Sequence, residues 1–205
     1  LAEVGDQRDA AALVRAAERG SWPLPAAAAF GLARMAQRGV SKKHSLGRLL
    51  CQLAASTDPY VRANVAAGMN ALAAEPCEHA DPLPWLGADQ PQVLRVAAAA
   101  WTRTLAAGEN RDPSFERARL ACAADLDPRV AAACRTDAPA ETRRAARRLL
   151  AIGRDGQSML SDRLVALRLA DRSVFVGYSD VNGDVALPAA ISGEVILEDP
   201  ADSAP

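Results

Sequence analysis

One dense cluster of charge stands out in the chain, Arg143-Arg144-x-x-Arg147-Arg148. On a helix, Arg143 and Arg147 lie on one face and Arg144 and Arg148 on the neighbouring one, because residues four apart are neighbours on a helix surface. Guanidinium groups recognise carboxylates and phosphates, so this stripe predicts a binding site for an acidic protein surface or a nucleic acid. The alternative interpretation is a solvated helix face whose arginine stems cover apolar surface.

A second group of polar residues has the spacing of half a calcium-binding loop. Asp180, Asn182 and Asp184 alternate along a short segment, and calcium needs several hard oxygen ligands converging from a tight loop. An EF-hand then requires Gly at the sixth position and Glu at the twelfth, but these positions hold Val185 and Ile191. We therefore interpret the segment as a hairpin turn flanked by acidic residues, and no metal is predicted there.

Zinc binding and hydrolytic chemistry have less support from the sequence. Cys77 and His79 could supply two zinc ligands from one loop, whereas a structural zinc site needs four. A hydrolase needs a nucleophile, a base and an orienting group. The two histidines, His44 and His79, lie beside no nucleophile motif, and the chain has no glycine-rich phosphate loop. The sequence predicts a protein that is not an enzyme and uses no cofactor.

The four cysteines, Cys51, Cys77, Cys122 and Cys134, are even in number and include no CxxC pair. Cys122 lies near the end of one predicted helix and Cys134 within the next, so the two could face each other across an antiparallel hairpin. Two interpretations stay open. The cysteines either fill the core as small apolar residues or form at least one disulfide.

Ala-rich amphipathic helices are expected to position these residues. Hydrophobic residues make up 50% of the chain and aromatic residues only 4%, so a core of Ala, Leu and Val requires close approach of the helices. Proline, Asp-Pro pairs and glycine mark the helix boundaries. Residues 75–84 are predicted to be a loop, and the tryptophans (Trp22, Trp85 and Trp101) are interpreted as packing residues. The predicted helices cover about 6–19, 23–37, 59–74, 91–107, 113–123, 128–135 and 141–152, and one more helix, capped by either Ser41 or Ser45, carries Leu46 to Leu53.

One helix-start motif recurs along this helical part. In residues 58–67 an Asp-Pro turn is followed by Val and Arg, which open an Ala-rich helix. A variant occupies residues 127–133, a looser one occupies residues 90–97, and the offsets of roughly 30–40 residues are those of helical repeats. The motif resembles HEAT repeats in their Ala-rich bacterial form.

The HEAT-repeat resemblance implies stacked antiparallel helix pairs in a curved layer, which is a binding architecture and says nothing about the partner. It also implies that the Asp and Arg of the motif pair between neighbouring repeats. Asp58 and Arg62 fit that role, and Asp127 and Arg129 fit it less well because Arg129 is displaced within the motif.

The periodicity changes after Gly153. A polar linker is expected at 154–161, and alternating segments at 164–169, 174–178, 185–187 and 195–197 predict a three- or four-stranded antiparallel meander. Asn182-Gly183 predicts a hairpin turn with positive φ at both residues. The segment from Tyr178 to Pro188 resembles the turn of carboxypeptidase-regulatory-like β-sandwich modules, which are mostly extracytoplasmic.

The predicted fold is therefore mainly α, an α-solenoid of stacked antiparallel helix pairs over residues 1–153. The linker, a β-meander over 162–200 and a disordered tail at 201–205 follow it. The expected function is a non-enzymatic protein–protein interaction scaffold or accessory subunit of a larger assembly. It would bind through the solenoid surface, with strand pairing by the β-tail as a further mode.

The alternative function is a nucleic-acid-binding HEAT-like protein that uses the stripe of four arginines. A net charge of −1, from 24 basic and 25 acidic residues, does not favour extensive phosphate neutralisation. No apolar run is long enough to cross a bilayer. The even cysteine count, the β-tail resemblance and a first residue, Leu1, that is not Met slightly favour an extracytoplasmic location.

Overall fold

The computed structural model describes residues 7–21, 23–39, 43–108, 112–135, 149–150, 163–169, 172–185 and 196–198. These residues are mainly helical, with short antiparallel strands towards the C-terminus, which confirms the predicted class. The helices are α1 (Gln7–Arg19), α2 (Leu24–Arg38), α3 (Lys43–Leu53), α4 (Pro59–Leu72), α5 (Pro82–Trp85), α6 (Gln92–Ala107), α7 (Pro113–Cys122) and α8 (Pro128–Cys134). The strands are β1 (Leu149–Leu150), β2 (Leu164–Arg168), β3 (Val174–Tyr178), β4 (Asp184–Val185) and β5 (Ile196–Glu198).

Four of the described helices begin with an aspartate cap followed by proline. The aspartate carboxylate accepts a hydrogen bond from the backbone N–H two residues later, which would otherwise have no partner in the first helical turn. Proline suits the position between them because it has no N–H to satisfy. The capping residues are Asp58, Asp81, Asp112 and Asp127, of helices α4, α5, α7 and α8. The Asp81 cap also corrects the predicted loop at 75–84, because it starts α5 within that segment.

The three longest helices pack one against the next along the chain, with shorter helices beside them. Helix α2 packs against α4 and α4 against α6, while α1 and α3 contact these helices, and α5, α7 and α8 contact α6. Close approach is visible at Gly68 of α4, where an added Cβ would lie 2.8 Å from Leu50 Cδ1 and 3.3 Å from Ala33 Cα. The core therefore depends on small residues at the helix contacts, as the composition predicts.

Two of the three tryptophans are packing residues, as expected. Trp85 and Trp101 are buried, with ring centroids 6.2 Å apart. The indole Nε1 of Trp101 donates to the carbonyl of Ala74 at 2.9 Å, which satisfies its polar atom inside the core. Trp22 lies outside the described residues.

The sheet topology differs from the predicted meander. Strand β2 pairs antiparallel with β3 on one side and with β5 on the other, so the order is β3-β2-β5. Strand β1 pairs antiparallel with β4. The predicted last helix is wrong at its end, because Leu149–Leu150 form β1, and its earlier part at 141–148 lies outside the described residues. The linker at 154–161 and the tail at 201–205 also lie outside them.

The Asn-Gly turn forms, but with a different backbone conformation from the one predicted. Gly183 has φ of 79°, whereas Asn182 is not among the described residues with positive φ. The N–H of Gly183 donates to the carbonyl of Asp180, and the N–H of Asp180 donates to the carbonyl of Asp184. This pattern is typical of a turn that closes with one left-handed glycine, so the backbone at Asn182 does not need a positive φ.

A buried asparagine holds the sheet against the helices. Asn64 of α4 is fully buried, and its Nδ2 donates to the carbonyls of Ala26 at 3.1 Å and Val174 at 3.0 Å. Its Oδ1 accepts from the N–H of Val174 at 2.6 Å. Beside this contact, the rings of Phe30 and Phe175 pack edge to face with centroids 5.8 Å apart. The β-segment therefore shares a core with α2 and α4.

The pairing implied for Asp58 and Arg62 is corrected by their observed contacts. Asp58 caps its own helix through the N–H of Tyr60 at 2.8 Å. The Nε of Arg62 donates to the carbonyl of Ser56 at 2.6 Å. Both contacts are local, since they join residues no more than six positions apart in the sequence.

Cys51 of α3 and Cys77 form a disulfide, with their Cα atoms 6.3 Å apart. The zinc option at Cys77 and His79 is therefore excluded, since the sulfur already has a covalent partner. Cys77 also begins a tight turn, in which its N–H donates to the carbonyl of Ala80 at 2.9 Å and its carbonyl accepts from the N–H of Ala80 at 3.1 Å.

Candidate interaction surface

An open groove of about 780 Å³ lies between the N-terminal end of α6 and the connection from α7 to α8. Its walls are formed by Ala88, Gln92, Arg95 and residues 124–129. At its edge Leu126 has a relative exposure of 101%, so its side chain gains nothing from burial within the chain.

Leu126 is not the only exposed apolar residue of the hairpin formed by α7 and α8. In the last turn of α7, Leu120 has a relative exposure of 56%, and Ala121 and Ala124 are also exposed. Leu120 and Ala124 are four residues apart, and the N–H of Ala124 donates to the carbonyl of Ala121 at 3.1 Å, so the turn continues and the two share a side. Single exposed apolar residues are common on proteins, but a group of them marks a candidate contact surface.

Asp125 fixes the connection on one side of Leu126. Its Oδ2 forms an ion pair with Nη2 of Arg95 at 2.5 Å, and both side chains are largely buried. Its Oδ1 accepts from the N–H of Asp127 at 2.8 Å. The Nε of Arg95 also donates to the carbonyl of Leu86 at 3.3 Å, so one arginine joins α6 to two connecting segments.

Asp127 fixes the connection on the other side. Its Oδ1 caps α8 through the N–H of Arg129 at 2.9 Å, and its Oδ2 accepts from Nε2 of Gln92 at 2.5 Å. Gln92 in turn accepts from Nη1 of Arg129 at 2.9 Å. Burial opposes ionisation of Asp127, but the hydrogen bonds from Gln92, Arg129 and Val130 and the charge of Arg95 outweigh it and hold its pKa below the usual value. Gln92 of α6 is thus bonded to both Asp127 and Arg129 at the start of α8, and the pairing between repeats that the resemblance implied stays a prediction.

A disulfide closes the same hairpin. Cys122 at the end of α7 is bonded to Cys134 at the end of α8, with Cα atoms 5.9 Å apart, and both residues are buried. This is the arrangement that their helix positions allowed, and of the two interpretations left open the disulfide is the correct one. The connection carrying Leu126 is therefore held by a covalent bond as well as by Asp125 and Asp127.

Three arginines of the hairpin formed by α7 and α8 are exposed. Nε of Arg117 donates to the carbonyl of Pro113 at 3.4 Å, and Nη2 of Arg135 donates to the carbonyl of Ala123 at 3.3 Å. Arg129 donates to the amide oxygen of Gln92. Within the described part of the chain these bonds all go to neutral oxygens, whereas Arg119 of α7 makes a two-bond contact with Glu116.

The predicted binding residues Arg143, Arg144, Arg147 and Arg148 lie outside the described residues. Another basic group does lie within them. Nη1 of Arg103 donates to the carbonyl of Arg135 at 3.3 Å, and burial together with the positive charge of Arg172 lowers the pKa of Arg103.

Neither a metal site nor a membrane span is found in the described ranges. Those ranges contain no cluster of three or more His, Cys, Asp or Glu residues placed to hold a metal ion. Asp180 instead accepts hydrogen bonds from the N–H groups of Asn182 and Asp184, as the hairpin interpretation expects. None of the helices described is long and apolar enough to cross a membrane.

Comparison with protein-family models, with curated proteins and with solved structures finds no match to the chain. The surface around Leu126 must therefore be interpreted from its own geometry. The sequence contained one signal for it, a single leucine between two aspartates in a connection between helices. The role of Gln92 had no such signal, because it depends on contacts 35 and 37 residues away.

Proposed function

We propose that this chain is a non-enzymatic protein–protein interaction module, a scaffold or accessory subunit of a larger assembly. The observation that carries the proposal is the fully exposed Leu126, held on a connection that an ion pair, a capped helix and a disulfide all restrain. A segment whose backbone is already restrained before binding loses little backbone freedom when a partner covers it, and this favours association.

We also propose that the helices form a HEAT-like α-solenoid. The successive contacts α2 to α4 and α4 to α6, with α1, α3, α5 and α7 packed beside them, support this. In a solenoid each repeat contacts its neighbours, so the terminal repeat leaves one face uncovered. The exposed residues of α7 and of the α7–α8 connection lie on the last helix pair described.

Strand pairing through β3 has less support than binding through the helices. The N–H and carbonyl of Val174 are already bonded to Asn64. At the other end of β3, Ser179 forms an antiparallel bridge with Val185. Both contacts occupy backbone that an added strand would use, so we place the interaction on the helical surface.

The two disulfides support the slight preference for an extracytoplasmic location. Disulfides persist in oxidising compartments and are rare where thiols are kept reduced. All four cysteines are paired, one bond within the α7–α8 hairpin and one between α3 and the Cys77 turn.

Nucleic-acid binding is the second candidate function, and one observation favours it. Burial and, after it, the positive charge of Arg172 lower the pKa of Arg103, so two arginines lie near each other, and clustered positive charge is a feature that phosphate contacts use. The test is DNA and RNA binding measured against salt concentration, with the predicted stripe changed by Arg144→Glu and Arg148→Glu. A steep salt dependence that the double variant reduces would favour nucleic acid over a protein partner.

The experiment for the main proposal is site-specific photo-crosslinking in cells that make the protein. A photoreactive amino acid at position 126 should give a discrete protein adduct. The matched control carries the same group at position 24, because Leu24 is also an exposed leucine, with a relative exposure of 45%, but lies on α2. No adduct from position 126, or the same adducts from both positions, would overturn the proposal for this surface. An adduct removed by nuclease would support the second candidate.

A further inference from the structure

We infer that the partner of this surface is an acidic amphipathic segment of another protein, with apolar side chains on Leu120 and Leu126 and carboxylates on the surrounding arginines. The inference rests on the proposed function and gives the chemistry of the partner. For this purpose the terminal surface means the exposed residues Arg117, Leu120, Ala124, Leu126 and Arg135, which lie on α7, in the α7–α8 connection and directly after α8.

The apolar centre of the terminal surface sets the first requirement. Leu120 and Leu126 are both large and exposed, and the small side chain of Ala124 lies between them in the chain and is exposed as well. A partner that places aliphatic or aromatic side chains here would remove their surface from water, which is the main favourable term in protein association. The partner therefore needs an apolar stripe.

The surrounding charges set the second requirement. Arg117 lies three residues before Leu120, on the same side of α7, and Arg135 is bonded to the carbonyl of Ala123, next to Ala124. Both guanidinium groups are bonded to neutral carbonyl oxygens, so their charges are available to carboxylates. Arg129, in the wall of the same groove, adds a third positive charge.

The acidic residues nearby do not cancel these charges by direct pairing. Glu116 is bonded to Arg119, Asp125 to Arg95 and Asp127 to Gln92. Asp112 caps α7, and the hydrogen bonds from Ser114 lower its pKa, with a smaller contribution from Arg117. Within the described part of this face, the carboxylates serve the fold and the exposed arginines are left for a partner, so charge complementarity favours an acidic segment.

A protein segment fits this surface better than a nucleic acid. Single-stranded nucleic acids are bound by aromatic rings on which the bases stack, but the exposed centre here is aliphatic, and Phe115 of α7 is buried. The net charge of −1 for the chain also lacks the basic excess that phosphate binding uses. An acidic amphipathic helix presents both an apolar stripe and carboxylates.

The test selects peptides from a displayed library of random 16-residue sequences on the full disulfide-bonded chain. Selection is repeated on a Leu126→Asp variant, and peptides that bind both proteins are discarded. The remaining peptides should be enriched in Asp and Glu and should contain apolar residues at helical spacing. Enrichment of neutral or basic peptides, or no peptide that depends on Leu126, would overturn the inference.

A charge exchange tests the role of the arginines directly. An Arg117→Glu and Arg135→Glu variant should bind a selected acidic peptide roughly tenfold or more weakly, since like charges then face each other. It should recover binding when Lys replaces the acidic residues of the peptide. The control is Arg15→Glu with Arg19→Glu, which makes the same charge change at two exposed positions of α1 and should leave binding unchanged. Equal losses in both variants, or no recovery with the Lys peptide, would refute the role of this surface.

The outcomes separate this inference from the proposed function. A crosslinked protein adduct at position 126 together with selected peptides that are not acidic leaves the interaction function standing and rejects the acidic partner. Failure of the crosslinking rejects the interaction function and with it the inference. DNA binding that Arg117→Glu with Arg135→Glu removes would replace the acidic segment with a nucleic acid.

Discussion

Replacement of Asn64 by leucine should destabilise the chain more than any surface change. The side chain of Asn64 is fully buried in α4 and makes three hydrogen bonds, one to the carbonyl of Ala26 and two to the backbone of Val174. Leucine has the same number and branching of heavy side-chain atoms but no polar atoms. The Asn64→Leu variant therefore keeps the shape approximately and leaves three buried backbone groups without their partner.

The expected loss follows from those three groups. A buried donor or acceptor that loses its partner costs about 1–3 kcal/mol. Three such groups give a range of about 3–9 kcal/mol by simple addition, but a small shift of β3 would let water reach Val174, and the leucine gains apolar burial. We therefore expect a loss of about 3–5 kcal/mol in the free energy of unfolding, a large share of the roughly 5–15 kcal/mol typical of a domain.

Urea unfolding measures this loss, followed by far-ultraviolet circular dichroism and by tryptophan fluorescence. The matched control is Asn70→Leu, because Asn70 lies on the same helix, is partly exposed and accepts one hydrogen bond from Thr104. It should lose only about 1 kcal/mol. Hydrogen exchange adds a local readout, because the amide of Val174 should be protected in the wild type and should exchange faster in Asn64→Leu.

Two results would refute this reasoning. The first is a loss below about 1 kcal/mol for Asn64→Leu, which would mean that the buried groups find other partners at little cost. The second is an unchanged exchange rate at Val174 despite a large global loss. That result would show that Asn64 stabilises the contact between α2 and α4, through Ala26, without holding β3.

Three further predictions concern the α7–α8 hairpin and the helix contacts. Asp127→Asn keeps a capping side chain but removes the charge. Because folding lowers the pKa of Asp127, the wild type should have a higher free energy of unfolding than the variant. This difference should be complete above about pH 4 and should be lost as pH falls through the folded pKa. Urea unfolding between pH 7 and pH 3 checks this, and a constant difference would contradict it. Replacing Cys122 and Cys134 by serine should cost about 2–4 kcal/mol, measured by unfolding without reductant; an unchanged midpoint would contradict it. Gly68→Val should cost about 1–3 kcal/mol, since its Cβ would meet Leu50 at 2.8 Å, and a stabilised variant in thermal unfolding would contradict it.

Local signals predicted much of the fold because their causes are local. An Asp-Pro pair starts a helix through contacts within three residues, and the starts at Pro59, Pro113 and Pro128 were all predicted from this chemistry. The strand at 174–178 was predicted in the same way, from alternating β-branched and aromatic residues. Asn182 shows the limit, since Asn-Gly indicates a turn but does not by itself choose between two turn geometries.

Contacts between distant residues could not be predicted from patterns. Asn64 meets Ala26 and Val174 across 38 and 110 residues, and nothing in an Ala-rich helix distinguishes a buried asparagine from an exposed one. The order of the strands could not be predicted for the same reason, because β5 pairs with β2, a strand distant from it in the sequence. Leu149–Leu150 were assigned to a helix because two adjacent leucines fit either structure, and only their pairing with β4 decides between them.

Within residues 125–127, the two aspartates stabilise the fold, whereas the leucine is the residue that the proposed function uses for binding. Asp125 and Asp127 are used by the fold, since one pairs with Arg95 and the other caps α8 and accepts from Gln92. A substitution at either position would change stability and binding together, so its effect on a partner would be ambiguous. Leu126 lies between them with its side chain in solvent, and burial of that side chain can stabilise only a complex and not the free chain. The two aspartates thus restrain the connection, and under the proposed function Leu126 is the position where a substitution should change binding and leave the stability of the free chain unchanged.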